Sequence, residues 1–436
     1  MPQSRPSQLP STYALLSGLV FALAAPAPGA AAGFGLFQHG ARAIGQAGAL
    51  TARGHEPSTV TYNPAAMTRL PGLQLQAGLD FSNAEDRYVS ASGTHEAKHT
   101  IQFPPAVYLT WRTPQDYTPV AFGLGIDAPY WHNQDWHSAL FPGRFLTRRF
   151  SLEVFELHAA MAYEFAEGWS LGGGVRYVFG GLEQADNAFA DVFVPSLSRT
   201  VPVEIQRDAD ADVDALAWDL ALHYAAPSWG WGTVFRSEAE LEGNGEVKYA
   251  PRDVAISEVL PLVAARFVPG RAGQSFTLPW ELRAGTWFAP YPELRLEVDI
   301  AYQNWSTLED TVVTFSPDPL LGTGLTVRER NWKDTVSVRL GAEGEITDNF
   351  QLFGGIGWEP SPVRGNTVEP GFPRDDAYVY AAGFAYNFPH ISFDLGYSFH
   401  DHGDRGASGQ EPRSPDISGS YTGREQVWGF SARWRF

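Results

Sequence analysis

Stretches of about ten residues in which every second side chain is apolar recur along this chain, and a period of two belongs to β-strands. One stretch puts Leu294, Leu296, Val298, Ile300 and Tyr302 on one face and Arg295, Glu297, Asp299, Ala301 and Gln303 on the other. A second sets Ile391, Phe393, Leu395, Tyr397 and Phe399 against Ser392, Asp394, Gly396, Ser398 and His400. A third sets Leu216, Trp218, Leu220, Leu222 and Tyr224 against Ala217, Asp219, Ala221 and His223. A fourth sets Phe155, Leu157, Ala159, Met161 and Tyr163 against Glu156, His158, Ala160, Ala162 and Glu164. A soluble sandwich alternates as well, with its polar face in water. The period alone leaves open which face is wet.

The connections decide between these. Short turns fall at 112–118, 166–168, 226–228, 289–292, 346–349 and 387–390. Long polar segments lie between them, at 82–100, 128–151, 183–212, 242–275, 307–332, 361–375 and 402–424. Six short turns alternating with seven long loops give 14 strands with both termini on the short-turn side. That is the rhythm of a bacterial outer-membrane barrel. Tyr163, Phe165, Trp169, Tyr224, Trp229, Trp231, Tyr291, Tyr386 and Phe388 gather beside the short turns, as an interfacial aromatic girdle would. Pro104 and Pro105 cannot donate ladder hydrogen bonds, so they are placed at the outer end of the second strand. In the last strand Trp428, Phe430, Ala432, Trp434 and Phe436 share a face. A chain closing on phenylalanine this way resembles the C-terminal signature of outer-membrane barrels, which implies the barrel-assembly machinery as a partner through Phe436. The expected class is all-β, a 14-stranded antiparallel transmembrane β-barrel over 73–436.

Composition narrows the setting. The apolar stretch at 14–32, with Arg5 ahead of it and Gly29, Ala31 or Ala30, Ala32 as small-residue cleavage pairs, reads as a signal peptide over 1–32. It is short for a spanning helix, and Pro26 and Pro28 interrupt it. The expected location is the outer membrane of a Gram-negative bacterium. A net charge of −18 argues against nucleic acid. The absence of cysteine removes disulfides, thiolate metal sites and a Cys nucleophile.

Residues 33–72 have no period of two. They are too apolar and too poor in charge for a disordered tail, and a compact plug inside the barrel fits better. The segment reads Gly33-Phe34, then Gly40-Ala41-Arg42-Ala43-Ile44-Gly45-Gln46-Ala47, then Tyr62-Asn63-Pro64-Ala65. In these residues the chain resembles the FadL-type family of outer-membrane long-chain fatty acid and hydrocarbon transporters. Pro142-Gly143-Arg144-Phe145, Ala162-Tyr163 through Gly172-Gly173-Gly174, and Tyr302-Gln303-Asn304-Trp305-Ser306 continue the match. Asn331-Trp332-Lys333-Asp334, Gly354-Gly355-Ile356, Ser361-Pro362-Val363 and Asp394-Leu395-Gly396-Tyr397 complete it, in order along the chain.

The resemblance implies a 14-stranded barrel with an N-terminal hatch over 33–72, and a passive route for hydrophobic molecules. A ligand is caught by outer loops, passes to a lumen pocket, and leaves sideways through the wall as the hatch moves. Long-chain fatty acids are the default ligand. Aromatic hydrocarbons are the alternative within the family, and a general diffusion porin is a further one. The partners expected are a hydrophobic small molecule, outer-membrane lipid and lipopolysaccharide. A monomer is expected, with no cofactor and no enzymatic activity.

Candidate residues follow. Trp131, Trp136, Leu140, Phe141 and Phe145 in the loop 128–151 could form the outer groove, or could pack the loop on itself. The family places a phenylalanine like Phe34 in the inner pocket. Asn63, Pro64 and Ala65 read as hatch structure, since Asn-Pro initiates turns. An arginine could clamp a carboxylate, and alternation turns Arg176, Arg339, Arg433 and Arg435 inward. Glu156, Glu297, Asp299, Asp219 and Asp394 could equally tie them into structural ion pairs. Where some fatty-acid members carry basic residues, this chain has Gly180, Gly181, Leu182 and Glu183. Gly123, Gly125 and Pro129 are candidates for a lateral opening, against a reading as ordinary strand glycines.

Two loop groups, His132, Asp135, His137 and His400, Asp401, His402, Asp404, have metal-ligand types but imply no closed geometry, so no metal is expected. Gly172-Gly173-Gly174 precedes no helix, which excludes a phosphate loop. A barrel hydrolase would need a Ser/His pair. No nucleophile motif is present, and His223 and Ser398 do not obviously meet.

Overall fold

A computed structural model describes residues 33, 35, 38–99, 101–114, 119–252, 259–320, 324–407 and 416–436. The leader expected over 1–32 lies outside them. Fourteen strands form the wall. The first seven are β1 (Leu73–Ser90), β2 (Pro105–Arg112), β3 (Val120–Asp135), β4 (Arg149–Ala166), β5 (Trp169–Val194), β6 (Arg199–Ala225) and β7 (Trp229–Arg236). The rest are β8 (Glu281–Tyr291), β9 (Leu294–Gln303), β10 (Thr335–Thr347), β11 (Phe350–Glu359), β12 (Ala377–Asn387), β13 (Ile391–Ala407) and β14 (Gly419–Arg435). Each pairs antiparallel with the next, and β14 returns to β1 from Gln74↔Arg435 to Ser90↔Gly419. Closure leaves the ring with no free edge.

The faces sort by solvent. On β6 the outward residues Leu216, Trp218 and Leu220 are exposed, while Ala217, Asp219, Ala221 and His223 on the inner face are buried. The same apolar-out order holds on β9, where Val298 and Ile300 are exposed and Glu297, Asp299 and Gln303 are buried. The apolar band has a definite outer edge. On β1 the outward series Leu75, Ala77, Leu79, Phe81 gives way to Asn83 and Glu85, and on β14 Phe430 and Trp428 give way to Gln426 and Arg424. About ten residues of tilted strand reach about 25 Å, the height of a bilayer's apolar band. Aromatics cap its other edge beside the short turns: Trp169 and Tyr224 lie 4.8 Å apart, Tyr224 and Trp229 5.0 Å.

The short turns at 166–168, 226–228, 289–292, 346–349 and 387–390 fall where alternation placed them, that at 112–118 lies largely outside the described residues, and Pro105 opens β2 at its outer end, opposite Leu79. The long segments are more ordered than loops. β5 and β6 stay paired from Trp169↔Tyr224 to Val194↔Arg199, straight through 183–212. Ala239–Arg252 pairs with the outer half of β6, then with Gly270–Leu278, which pairs with Asp310–Ser316. Period two persists through 183–212, with Asp208, Asp210 and Asp212 on the outward face, so a segment read as polar loop is strand standing clear of lipid.

Residues 38–70 fill the interior. The helix Ala41–Gly45 lies against β11, β12, β13 and β14. The 3-10 helix Pro64–Arg69 lies across the barrel against β2 to β6.

Candidate transport lumen and lateral gap

The interior segment is held by ion pairs that alternation predisposes, because the polar residues of each strand face inward. Arg42 donates to Glu343 at 2.8 Å, to Gln351 at 2.6 Å and to Asp394 at 3.3 Å. Arg53 pairs with Glu297 and lies 3.1 Å from Glu343. Asp299 accepts the backbone N–H groups of Leu50 and Thr51, both at 2.9 Å. Asn63 accepts from Ala65 N–H at 3.1 Å and donates to Thr51 O at 2.8 Å, while Pro64 opens the 3-10 turn. This is a turn-forming geometry for Asn63, Pro64 and Ala65. Wall glycines bring the two backbones together. A Cβ on Gly172 would sit 2.5 Å from Ala65 N, and one on Gly396 would overlap Ala41 O.

The wall changes at β3. Gly123 pairs with Thr110 on one side and Ala160 on the other, and Gly125 with Tyr108 and His158. The sheet is therefore continuous at both glycines, and the space they leave is taken by Val60, Met67 and Tyr108. Pro129 is different. The β3–β4 register slips between Asp127↔Glu156 and Tyr130↔Val154, which places a bulge at Ala128 and Pro129. Beyond Ile126, β2 has no further partner on β3, whereas β4 follows β3 to Asp135. The inner edge of this step is touched by Gly35, which bridges to Tyr130.

A cavity of about 70 Å³ lies behind the step. Gln102, Pro104, Trp131 and Asn133 line its wall side and Gly33, Gly35 and Gln38 its inner side. Phe34 lies outside the described residues, and its neighbours on both sides line the cavity.

The loop 128–151 divides. Trp136 stacks on Phe141 at 4.6 Å and meets Tyr421 at 5.6 Å, Phe141 meets Tyr88 at 5.5 Å, and Trp136 Nε1 donates to Pro370 O at 2.8 Å. Both are buried, in an aromatic core that ties outer loops together. Phe145 stacks elsewhere, on Phe189 at 5.0 Å, with the Arg144 guanidinium 4.4 Å from its ring. Leu140 is 80% exposed, and Trp131 packs on Phe155 and faces the cavity.

A second apolar cluster escaped the sequence reading. Val192, Val194, Val203 and Ile205 at the tip of the β5–β6 hairpin pack against Val259, Val263 and Phe267 from the helix Val259–Arg266 and its end. Exposed Phe193, Leu197, Leu260 and Val268 surround it. The signal lay in the run Val259-Leu260-Pro261-Leu262-Val263, inside a segment read as polar.

The inward arginines are occupied. Arg176 donates to Glu156 at 2.9 Å and to Ser237 O at 2.8 Å. Arg339 pairs with Glu359 at 3.1 Å, and Arg433 donates to His55 O at 2.8 Å. Arg435 is exposed. Clear of the lipid band, Arg207 forks onto Asp186 at 2.9 and 2.6 Å, with Arg328 and Arg330 beside it and Glu369 on Arg330. Burial would push the Asp186 carboxyl up, but the Arg207 and Arg328 guanidiniums outweigh it and hold it below the ordinary range.

Among the described residues no His, Asp and Glu group is arranged to hold a metal. His132 Nε2 is engaged with Gly371 O at 2.8 Å. His223 meets Ala52 O at 3.0 Å, while Ser398 lies 3.0 Å from His400 and also against Gln38.

A closed, apolar-faced 14-stranded ring filled by its own N-terminal segment defines an outer-membrane transport barrel. The profile of the outer membrane protein transport family (OMPP1/FadL/TodX) matches residues 22–436, and the chain belongs to that family. It is 24% identical over 397 residues to a long-chain fatty acid transport protein of Salmonella typhi, covering 84% of this chain and 87% of that one. It is 24% identical over 306 residues to outer membrane protein P1 of Haemophilus influenzae, covering 64% and 62%. Among solved structures, a Pseudomonas aeruginosa FadL homologue matches with a TM-score of 0.80 at 16% identity, covering 92% of this chain and 99% of that one. The Pseudomonas putida toluene transporter TodX matches at 0.71 and 15% identity, covering 92% and 99%. The protein is an outer-membrane transporter of hydrophobic compounds.

Proposed function

We propose that this chain imports long-chain fatty acids by lateral release. Outer loops catch the ligand, the cavity behind β3 receives it, and it leaves into the membrane through the step at Pro129. The observation that carries this reading is the pairing of a filled barrel axis with a wall that stops pairing beside the one lumen cavity described above. An apolar chain gains about 0.8 kcal/mol per buried methylene, so a sideways exit that never returns it to water is the favourable path. The N-terminal segment over 33–72 acts as the hatch, with 40–70 seated on the wall. Phe34, Trp131 and Leu140 contact the ligand, and the hairpin-tip cluster around Phe193 and Leu260 adds capture surface.

Aromatic hydrocarbons are the second reading. The engagement of Arg176 and Arg339 with Glu156 and Glu359 favours it, because a neutral ligand needs neither arginine.

The test is uptake in a Gram-negative host lacking its own fatty-acid importer, comparing radiolabelled oleate with radiolabelled toluene. Oleate uptake that Phe34→Gly impairs supports the first reading. Toluene uptake alone moves the ligand to hydrocarbons. Uptake of neither, with the protein correctly inserted, removes both.

A further inference from the structure

The cavity behind β3 is small, and charged and polar side chains share its lining with apolar ones. At about 70 Å³ it has room for several waters or for the head group of an amphiphile. Its charged lining is three carboxylates (Asp80, Glu359, Glu425), three histidines (His132, His400, His402) and one arginine, Arg374.

That arginine is already committed. It lies 2.9 Å from Asp86 and 2.9 Å from Glu425. Glu359 has Arg339 at 3.1 Å. Asp80 has no cation among the described residues. It is 2% exposed, its Oδ2 accepts the Gly40 N–H at 3.1 Å, and its Oδ1 has no hydrogen-bond partner. Gln38, 7% exposed, mirrors it with a spare donor: its Oε1 accepts from Ser398 at 3.0 Å and its Nε2 has no partner.

The cavity therefore sets Asp80 Oδ1, an unfilled carboxylate acceptor, and Gln38 Nε2, an unfilled amide donor, in a lining where Trp131 Nε1 and the His402 ring nitrogens are also unpaired. An anionic head cannot satisfy Asp80. It brings no proton to donate, and it adds a like charge to a site whose arginine is spent. A bare hydrocarbon would displace water and leave both groups unpaired, each at the cost of desolvation. A neutral head that donates and accepts satisfies both.

Resting on the importer reading above, we propose that this cavity selects the head group of an amphiphile. The head it takes is an uncharged hydroxyl or protonated carboxyl, which donates to Asp80 Oδ1 and accepts from Gln38 Nε2. A fatty acid enters it protonated, and a long-chain alcohol enters it directly.

The test uses the full chain in lipid nanodiscs, with radiolabelled 1-dodecanol, dodecanoate and dodecane counted above empty discs at about pH 8, where a free carboxyl is ionised. Wild type should bind dodecanol at least about tenfold tighter than dodecanoate. Asp80→Ala should weaken dodecanol severalfold and leave dodecane no weaker, since it removes a group that a hydrocarbon strands. Asp80→Asn, which removes the charge and keeps an acceptor, should narrow the gap by admitting dodecanoate. Dodecanoate equal to or tighter than dodecanol in wild type overturns the proposal and leaves the importer reading standing. An unchanged ratio in both folded variants overturns it too. If a variant fails to fold, the wild-type ratio decides alone. Binding of none of the three ligands overturns the proposal, and the importer reading falls with it only if oleate and toluene uptake are also absent.

Discussion

Asp214 and Leu216, neighbours on the same outward face of β6, mark the outer edge of the lipid-facing band. Above them Asp208, Asp210 and Asp212 continue that face, and below them Trp218, Leu220 and Leu222. The outward face changes from carboxylate to aliphatic within one pleat, although the strand and its pairing run on unbroken. A charge is costly at the middle of such a band and cheap beyond its edge. Leu220→Arg should thus destabilise the fold by about 2–4 kcal/mol, and Asp212→Leu by about 1 kcal/mol or less. Denaturant unfolding in phospholipid vesicles checks this. Equal costs at the two sites would displace the edge.

Gly396 faces the Ala41 carbonyl with no room for a side chain, whereas a methyl on Gly406 would meet nothing within 4 Å. Gly396→Ala should destabilise the protein by about 1–3 kcal/mol through overpacking and raise ion conductance as the interior segment loosens. Gly406→Ala should change neither. Planar-bilayer conductance reads the first effect, and a silent Gly396→Ala would mean the segment is not seated on the wall.

Arg42 joins Glu343 and Asp394, all three nearly dry. Removing one partner of a buried pair strands the others, at about 3–5 kcal/mol. Arg42→Met should show that loss in a urea melt. Adding Glu343→Gln should recover part of it, because one stranded charge is gone. A double variant worse than the single by the full sum would break this account.

Asp186 reports on the outer hairpins. Its carboxyl is held below its ordinary value, so its contribution is fully present above about pH 4 and is lost only as pH falls through the depressed folded value. Protease resistance of the β5–β6 hairpin should hold from neutral pH into the ordinary carboxylate range. Asp186→Asn should weaken it at neutral pH, leaving Arg207 and Arg328 without their shared anion. Opening of the wild-type hairpin well above pH 4 would show that another group governs it.

Strand count, turn positions and inward polar faces were legible because lipid imposes one period on every strand, at Leu216–Leu222 as at Val298–Ile300. The site was less so. Gly123 and Gly125 resemble a weak spot in sequence, yet each makes room for an interior side chain, a contact some 60 residues away in the chain. Pro129 falls in a bulge, where its missing N–H costs no ladder bond. The inward turn of Arg176 and Arg339 could be read from period two, but their partners depend on register between strands. The apolar helix Val259–Arg266 was obscured by the charged residues around it.

Trp131 and Trp136 share one loop and should separate by experiment. Trp136 is 1% exposed and carries a ring stack and an indole hydrogen bond, so Trp136→Ala should cost about 3–5 kcal/mol and lower uptake only as far as folded protein is lost. Trp131 is only partly buried and borders the cavity, packed on one ring. Trp131→Ala should cost little stability and reduce oleate uptake severalfold at equal outer-membrane abundance. Heat-modifiability on gels normalises for folding, and uptake per folded protein is then compared. If the two variants lose uptake per folded protein alike, the loop acts as one unit, and the division between its aromatic core and its ligand-facing edge does not hold.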